Sequence, residues 1–244
     1  MKKILKYQIN NHKMTILIFT IVSIFLYSFS NFTFVFNGNS TVSFNGIEMM
    51  GLIICFILFV GDYGETFRFS IQNGVTRKNT YFSSILLALI LSFLFSLISL
   101  IINIIFSLIL GLSDVLYLSM TTLIFGTNVS VFIGMLQSFV YTFTMILVGS
   151  MFGILLATMF ARAGRIGRVL IAAGVPITLF VGFPVIGSNL YNIAPTFVNR
   201  ISDFVLYIMG YQTNNPFLGS FTMIICAAIL GIIAFFINRK IEVK

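Results

Sequence analysis

Charge is scarce in this chain and acidic charge scarcest: six Asp and Glu stand against fourteen Lys and Arg and one histidine in 244 residues. Each shortage excludes a chemistry. The lone histidine, His12, precedes the first long apolar run, so a Ser–His dyad cannot be assembled within a membrane. Asp62, Asp114 and Asp203 fall at the ends of apolar runs or between them, which removes the paired embedded aspartates of an aspartyl intramembrane protease. The dipeptide Gly-Lys does not occur, so the lysine step of a P-loop is missing and ATP would have to be hydrolysed on another chain. No ionisable residue lies well inside an apolar run, Glu48 sitting at an end, so the embedded carboxylate typical of proton-coupled transporters is not expected. Both cysteines, Cys55 and Cys226, fall within apolar runs, where a thiol behaves as a small hydrophobe; neither a disulfide nor a metal site is indicated.

What is abundant is apolar surface. A chain that is 59% hydrophobic and 8% charged cannot hide that surface inside a water-soluble globule and needs lipid as solvent. Apolar blocks centred near residues 22, 54, 96, 147, 179 and 227 alternate with polar connections, and thirteen of the fourteen basic residues gather in alternate connections. Those groups are Lys2, Lys3, Lys6 and Lys13; Arg68, Arg77 and Lys78; Arg162, Arg165 and Arg168; Arg239, Lys240 and Lys244. Only Arg200 stands apart. Because positively charged loops stay cytoplasmic, the pattern predicts an all-α integral membrane protein of six spans with both termini in the cytoplasm. The net charge of +8 flanks the spans and forms no basic face with interleaved aromatics, so anionic headgroups are the expected partner and nucleic acid is not.

The expected spans run from Met14 to about Phe34, from Ile47 to Val60, from Tyr81 to Leu112, from Phe132 to Phe160, from Val169 to Leu190 and from Phe217 to Ile237. The second is short for the ~20 residues a bilayer needs, the third longer than needed. Pro176 and Pro184, with Gly174, Gly182 and Gly187, should kink or interrupt the fifth. Residues 1–13 read as an interfacial helix, with a frayed basic tail as the alternative. Residues 37–45, rich in Asn, Ser, Thr and Gly, read as a polar outer loop. Residues 191–214 are too polar to cross and too apolar for an ordinary loop, so a re-entrant or interface-lying outer element is expected. One transmembrane domain, 1–244, takes up the whole chain.

The most specific segment is 61–79, Gly-Asp-Tyr-Gly-Glu-Thr-Phe-Arg-Phe-Ser-Ile-Gln-Asn-Gly-Val-Thr-Arg-Lys-Asn. Tyr63, Phe67 and Ile71 recur at helical spacing, so a short helix here carries an apolar stripe; Asn73-Gly74 supplies its left-handed stop, and Thr76 can cap the next span. With Glu65, Arg68, Arg77 and Lys78 around it, the stripe has the anatomy of a plug for a groove in another protein. A helix lying on headgroups fits the same pattern.

An acidic residue, an aromatic-rich turn and Asn-Gly-Val-Thr-Arg-Lys between the second and third of six spans resemble the coupling-helix region of ABC-type export permeases of the type-two class. The overall plan also resembles theirs, and the small size and Ile/Asn/Phe-rich composition are similar to permeases of low-GC Gram-positive bacteria, among them exporters of the phenol-soluble modulin kind. The resemblance implies a multi-pass subunit of a bacterial cell membrane that pairs with a second permease, as homodimer or heterodimer, and with a separate ATPase holding ATP and Mg. It implies further that Glu65, Phe67, Phe69, Asn73, Gly74 and Arg77 contact or shape the contact with that ATPase, with Tyr63, Arg68 and Ile71 belonging to the same face.

Ser92, Ser96, Ser99, Asn103 and Ser107 share one face of the third span; Thr20, Ser23, Tyr27 and Ser30 do so on the first, and Gln137, Tyr141 and Thr144 on the fourth. Such stripes line a pathway or form packing seams. Ser96, Asn103, Gln137 and Tyr141 are the candidates for the pathway. Gly149, Gly153, Ala157 and Ala161 make a ridge on the fourth span, and Ala227, Gly231 and Ala234 another on the sixth, both suited to close helix packing within a subunit or across a dimer. The expected function is export of an amphipathic or hydrophobic substrate, such as a peptide or lipid, by a subunit that is not itself an enzyme. The rival is a membrane immunity or scaffold protein that needs no ATPase.

Overall fold

The structure, a computed structural model, describes residues 2–37, 47–109, 119–126, 130–239 and 241. The described residues are helical and contain no strand. In order they form α1 (Lys2–Asn11), α2 (Lys13–Asn37), α3 (Ile47–Gln72), α4 (Arg77–Ile109), α5 (Met120–Phe125), α6 (Val131–Arg162), α7 (Arg165–Ile177), a π-helical stretch (Thr178–Gly182), α8 (Phe183–Ile193), α9 (Pro195–Ile208) and α10 (Pro216–Asn238). Four helices, α3, α4, α6 and α10, are long and apolar enough to cross a membrane. The expected polar loop at 38–45, Asp114, the end of the third block and the terminal lysines Lys240 and Lys244 lie outside the described residues.

Helix α6 is the hub. It is buried along most of its length, while α3, α4 and α10 each cover one side of it. Lipid tails give apolar helices no reason to leave lipid for one another, so such packing depends on close approach. The small-residue ridge of α6 provides it against α3: a Cβ placed on Gly149 would stand 2.8 Å from the Leu52 side chain, and one on Gly153 only 2.7 Å from the Phe56 carbonyl oxygen. The ridge therefore works within the subunit. On α10, Ala227 and Ala234 are buried, and the Tyr81 hydroxyl of α4 donates to the Gly231 carbonyl. Phe19 of α2 stacks on Phe95 of α4 with ring centroids 4.3 Å apart, a pairing of ~1 kcal/mol beyond area burial.

The chain's punctuation is local. Gly74 takes φ +74°, its N–H reaches the Ile71 carbonyl, and the Val75 N–H reaches that of Ser70, which closes α3 in a Schellman motif. Two residues on, the Thr76 hydroxyl accepts from the Asn79 N–H and caps α4. Gly210, at φ +79°, ends α9 in the same way as Gly74. Asn215 caps α10 by accepting from the Phe217 N–H, with Pro216 in the first turn.

Two expectations are corrected in form. The second apolar run does not stop near Val60: α3 continues through residues 61–72 as one helix, so the segment read as a separate short helix is the end of a long one. The fifth block is interrupted as its prolines require, though by widening. The Phe183 N–H reaches back five residues to the Thr178 carbonyl, and this π-helical turn precedes Pro184, whose ring cannot accept a regular α turn before it. Among the described residues the α7–α8 run packs on α6 at its start and on α9 at its end, and α8 and α9 bury none of their residues.

Candidate partner-docking site at the basic end

Arg68, Arg77, Arg162, Arg168 and Arg239 collect at one end of the bundle, where α3 ends, α4 begins, α6 turns into α7 and α10 stops. The end of α3 presents two unlike faces. Tyr63 and Phe67 point inward, each 2% exposed, and stack 6.1 Å apart. The Tyr63 hydroxyl donates to Asn238 Oδ1 at 2.9 Å, and Asn238 Nδ2 donates to the Arg77 carbonyl at 3.3 Å. An Arg77 guanidinium N–H donates to the Arg239 carbonyl at 3.4 Å. Tyr63 and Arg77 therefore bind α3 and α4 to the end of α10. The stripe that periodicity singled out faces the protein's own core, with Ile71 half-buried at its edge.

The outward face carries Glu65, Arg68 and Phe69. Phe69 is 44% exposed and its ring stacks on Tyr7 of α1 at 4.8 Å. Asn73 and Gly74 are exposed at the helix stop, where Asn73 Nδ2 donates to the Phe69 carbonyl at 2.7 Å. Of the nine residues expected to meet a partner, Glu65, Arg68, Phe69, Asn73 and Gly74 are brought together on one accessible surface; Arg77 is exposed but engaged, and Tyr63 and Phe67 do not face outward.

Helix α1 braces this surface. Gln8 is buried, accepting from the Ser83 hydroxyl at 2.7 Å and donating to Ser84 at 3.5 Å. At the α1–α2 junction, His12 Nε2 lies 3.2 Å from Asp62 Oδ2, the same oxygen that accepts from Thr66 at 3.0 Å. Residues 2–11 are thus a docked helix and not a frayed tail. The bracing contacts of Gln8, His12 and Asn238 were not legible in the sequence, because single polar residues beside apolar runs look like ordinary membrane-edge residues until the neighbouring helix is known. Between the end of α3 and the α6–α7 corner lies a cavity of about 670 Å³, bordered by Glu65, Arg68, Arg162 and Arg168.

The pathway candidates lie elsewhere and apart. Ser92, Ser96, Ser99 and Asn103 turn toward the bundle interior, and Ser96 donates to the Phe93 carbonyl. Asn103 donates to Glu48 Oε1 at 3.4 Å, as does the Met120 N–H of α5, so the buried Glu48 ties α3, α4 and α5 together at the end opposite the arginines. Tyr141 is buried with Phe125 and Met145, and Gln137 is half-buried one turn earlier. Ser23 is fully buried, whereas the side chains of Tyr27, Ser30 and Ser107 lie outside those described. No known protein family, curated protein or solved structure matches the chain.

Proposed function

We propose that the chain is the membrane-spanning permease subunit of an ATP-driven exporter in a bacterial cell membrane. It pairs with a second permease and docks a separate ATPase through Glu65, Arg68 and Phe69. The observation that carries this reading is the continuity of α3: one unbroken helix joins its apolar stretch to the exposed rim at Phe69. A force applied at that rim moves the lipid-facing part of the helix as a rigid body, as a transporter needs if its chemistry happens on another chain. ATP and Mg belong to that partner.

Six crossings follow if α2 and the α7–α8 run join the four long helices. At ~1.5 Å per residue each exceeds the ~30 Å hydrocarbon thickness. The α7–α8 run and α9 show Val169, Leu170, Phe183, Phe197 and Phe204 to the outside and meet the bundle through α6 and α10 at their ends, which suits contact with a second permease and an amphipathic or hydrophobic substrate. In this reading α9 is the outer re-entrant or interface-lying element.

The test is co-purification of a P-loop ATPase with the tagged chain from native membrane. Substituting Phe69→Glu should cost at least ~2 kcal/mol of association, about thirtyfold, while expression stays near wild type and stability falls only by the ~1 kcal/mol of the lost Tyr7 stack. Phe67→Glu is the wrong probe, because it puts a carboxylate into the core. Undiminished ATPase recovery with Phe69→Glu would remove the assigned surface, and absence of any ATPase from the intact, functional protein would favour the immunity or scaffold role.

A further inference from the structure

Among the described residues, the lining of the cavity at the basic end carries more positive than negative charge. Three arginines, Arg68, Arg162 and Arg168, face one carboxylate, Glu65, leaving a lining charge of +2 by that count. Among the described residues no carboxylate is ion-paired with any of the three. Arg168 Nε donates to the Ala163 carbonyl at 3.2 Å, which draws its guanidinium across the α6–α7 corner and leaves its other N–H groups for a ligand. Gly61, Gly64 and Gly164 also border the cavity, and a Cβ on any of them would meet nothing within 4 Å, so bare backbone fronts open space there. Gly164 precedes α7 without a side-chain cap, and the positive end of that helix adds to the field of the arginines.

A phosphate suits this lining, since guanidinium forks bind its oxygens in pairs. What surrounds the mouth says which phosphate. Just beyond the arginines, α7 turns Ile166, Val169 and Leu170 outward with exposures of 78%, 65% and 67%. A charged pocket that opens onto an apolar stripe matches an amphiphile better than a free ion. We propose that the cleft binds the phosphate of an anionic phospholipid, with the acyl chains lying along Ile166, Val169 and Leu170. The site rests on the chain being in a membrane and not on an ATPase partner; a bound lipid here would hold the α3 end against the α6–α7 corner.

The test uses the full chain in nanodiscs containing equal phosphatidylglycerol and phosphatidylcholine, with retained lipid read by native mass spectrometry after transfer to detergent. Wild type should retain phosphatidylglycerol preferentially, and Arg162→Gln/Arg168→Gln, which spares the rim residue Arg68, should lower that preference about ten- to thirtyfold. Arg200→Gln, on α9, should leave it unchanged. If the double variant is not monodisperse, Arg162→Lys and Arg168→Lys singly keep the charge but lose the fork, and each should show a partial loss. Inorganic phosphate at ~10 mM should fail to strip the lipid. Equal retention of the two lipids, displacement by inorganic phosphate, or an unchanged preference in the double variant would each overturn the proposal. So would loss of ATPase co-purification with lipid retention unaltered, because the cleft would then be a protein contact.

Discussion

Tyr63 separates two roles that one side chain could have had. Its hydroxyl is spent on Asn238 Oδ1, and Asn238 is 1% exposed, so nothing else replaces the bond if it is lost. Tyr63→Phe should therefore destabilise the protein by ~1–3 kcal/mol, the cost of a buried acceptor left unpaired, and lower its melting temperature in detergent. ATPase recovery should stay at the wild-type level. An unchanged melting temperature would show that the hydroxyl bond contributes nothing, and lost recovery would return Tyr63 to the docking surface. Residue by residue, the sequence placed the helix stop at Asn73-Gly74 correctly and misjudged which way Tyr63 and Phe67 point. Spacing of four gives the phase of a stripe on a helix, but the identity of the neighbour depends on α10, more than 150 residues away. Asn73-Gly74 was legible because its requirement is local: a left-handed backbone position that glycine fills at no steric cost.

At the scale of elements, α3 is the part whose length changes the mechanism. Hydropathy drops after Val60, and that drop marks a change of surroundings, not a break in backbone hydrogen bonding. For that reason the continuity of the helix through Gly61, Asp62 and Gly64 could not be read from composition. The α6–α10 ridges and the π-helical turn before Pro184 were visible in outline, since small residues and prolines act on the backbone directly. If α3 is a lever, its stiffness at the exit from the apolar stretch sets the coupling. Gly64→Ala adds a Cβ that meets nothing within 4 Å and should raise stability by ~0.5–1 kcal/mol with export kept. Gly64→Pro removes the bond to the Val60 carbonyl and kinks the helix, at ~3 kcal/mol or more. The expected result for this variant is an ATPase that still associates through Phe69 and a reconstituted exporter that no longer moves substrate. Export at the wild-type rate from Gly64→Pro would show that force does not travel along α3.

For the whole molecule, the count of crossings decides whether the basic residues sort as their placement implies. Asn238 and Arg239 at the end of α10 bond to Tyr63 and Arg77, and Tyr211 stacks on Phe125 of α5, so the fold puts Gln212 at the end of the bundle opposite Asn73. If the long helices cross a membrane, the α7–α8 run, which joins the α6–α7 corner at the Asn73 end to α9, crosses with them. Both positions are exposed, so cysteines introduced there are accessible to reagents. In a background lacking Cys55 and Cys226, a membrane-impermeant maleimide applied to intact cells should label Gln212→Cys and leave Asn73→Cys unlabelled until the cells are opened. The physical reason is the distribution of charge: the Asn73 connection, the α6–α7 corner and the end of α10 carry Arg77, Arg162, Arg168 and Arg239, and basic connections stay on the inner face. Equal labelling of both positions from outside, or protection of both, would leave α7 and α8 on one side of the bilayer and would be incompatible with the bonds that Asn238 and Arg239 make to Tyr63 and Arg77. The apolar surface of α7 and α8 would then need cover other than a lipid core, and the lipid-bound cleft at their start would lose its acyl-chain track.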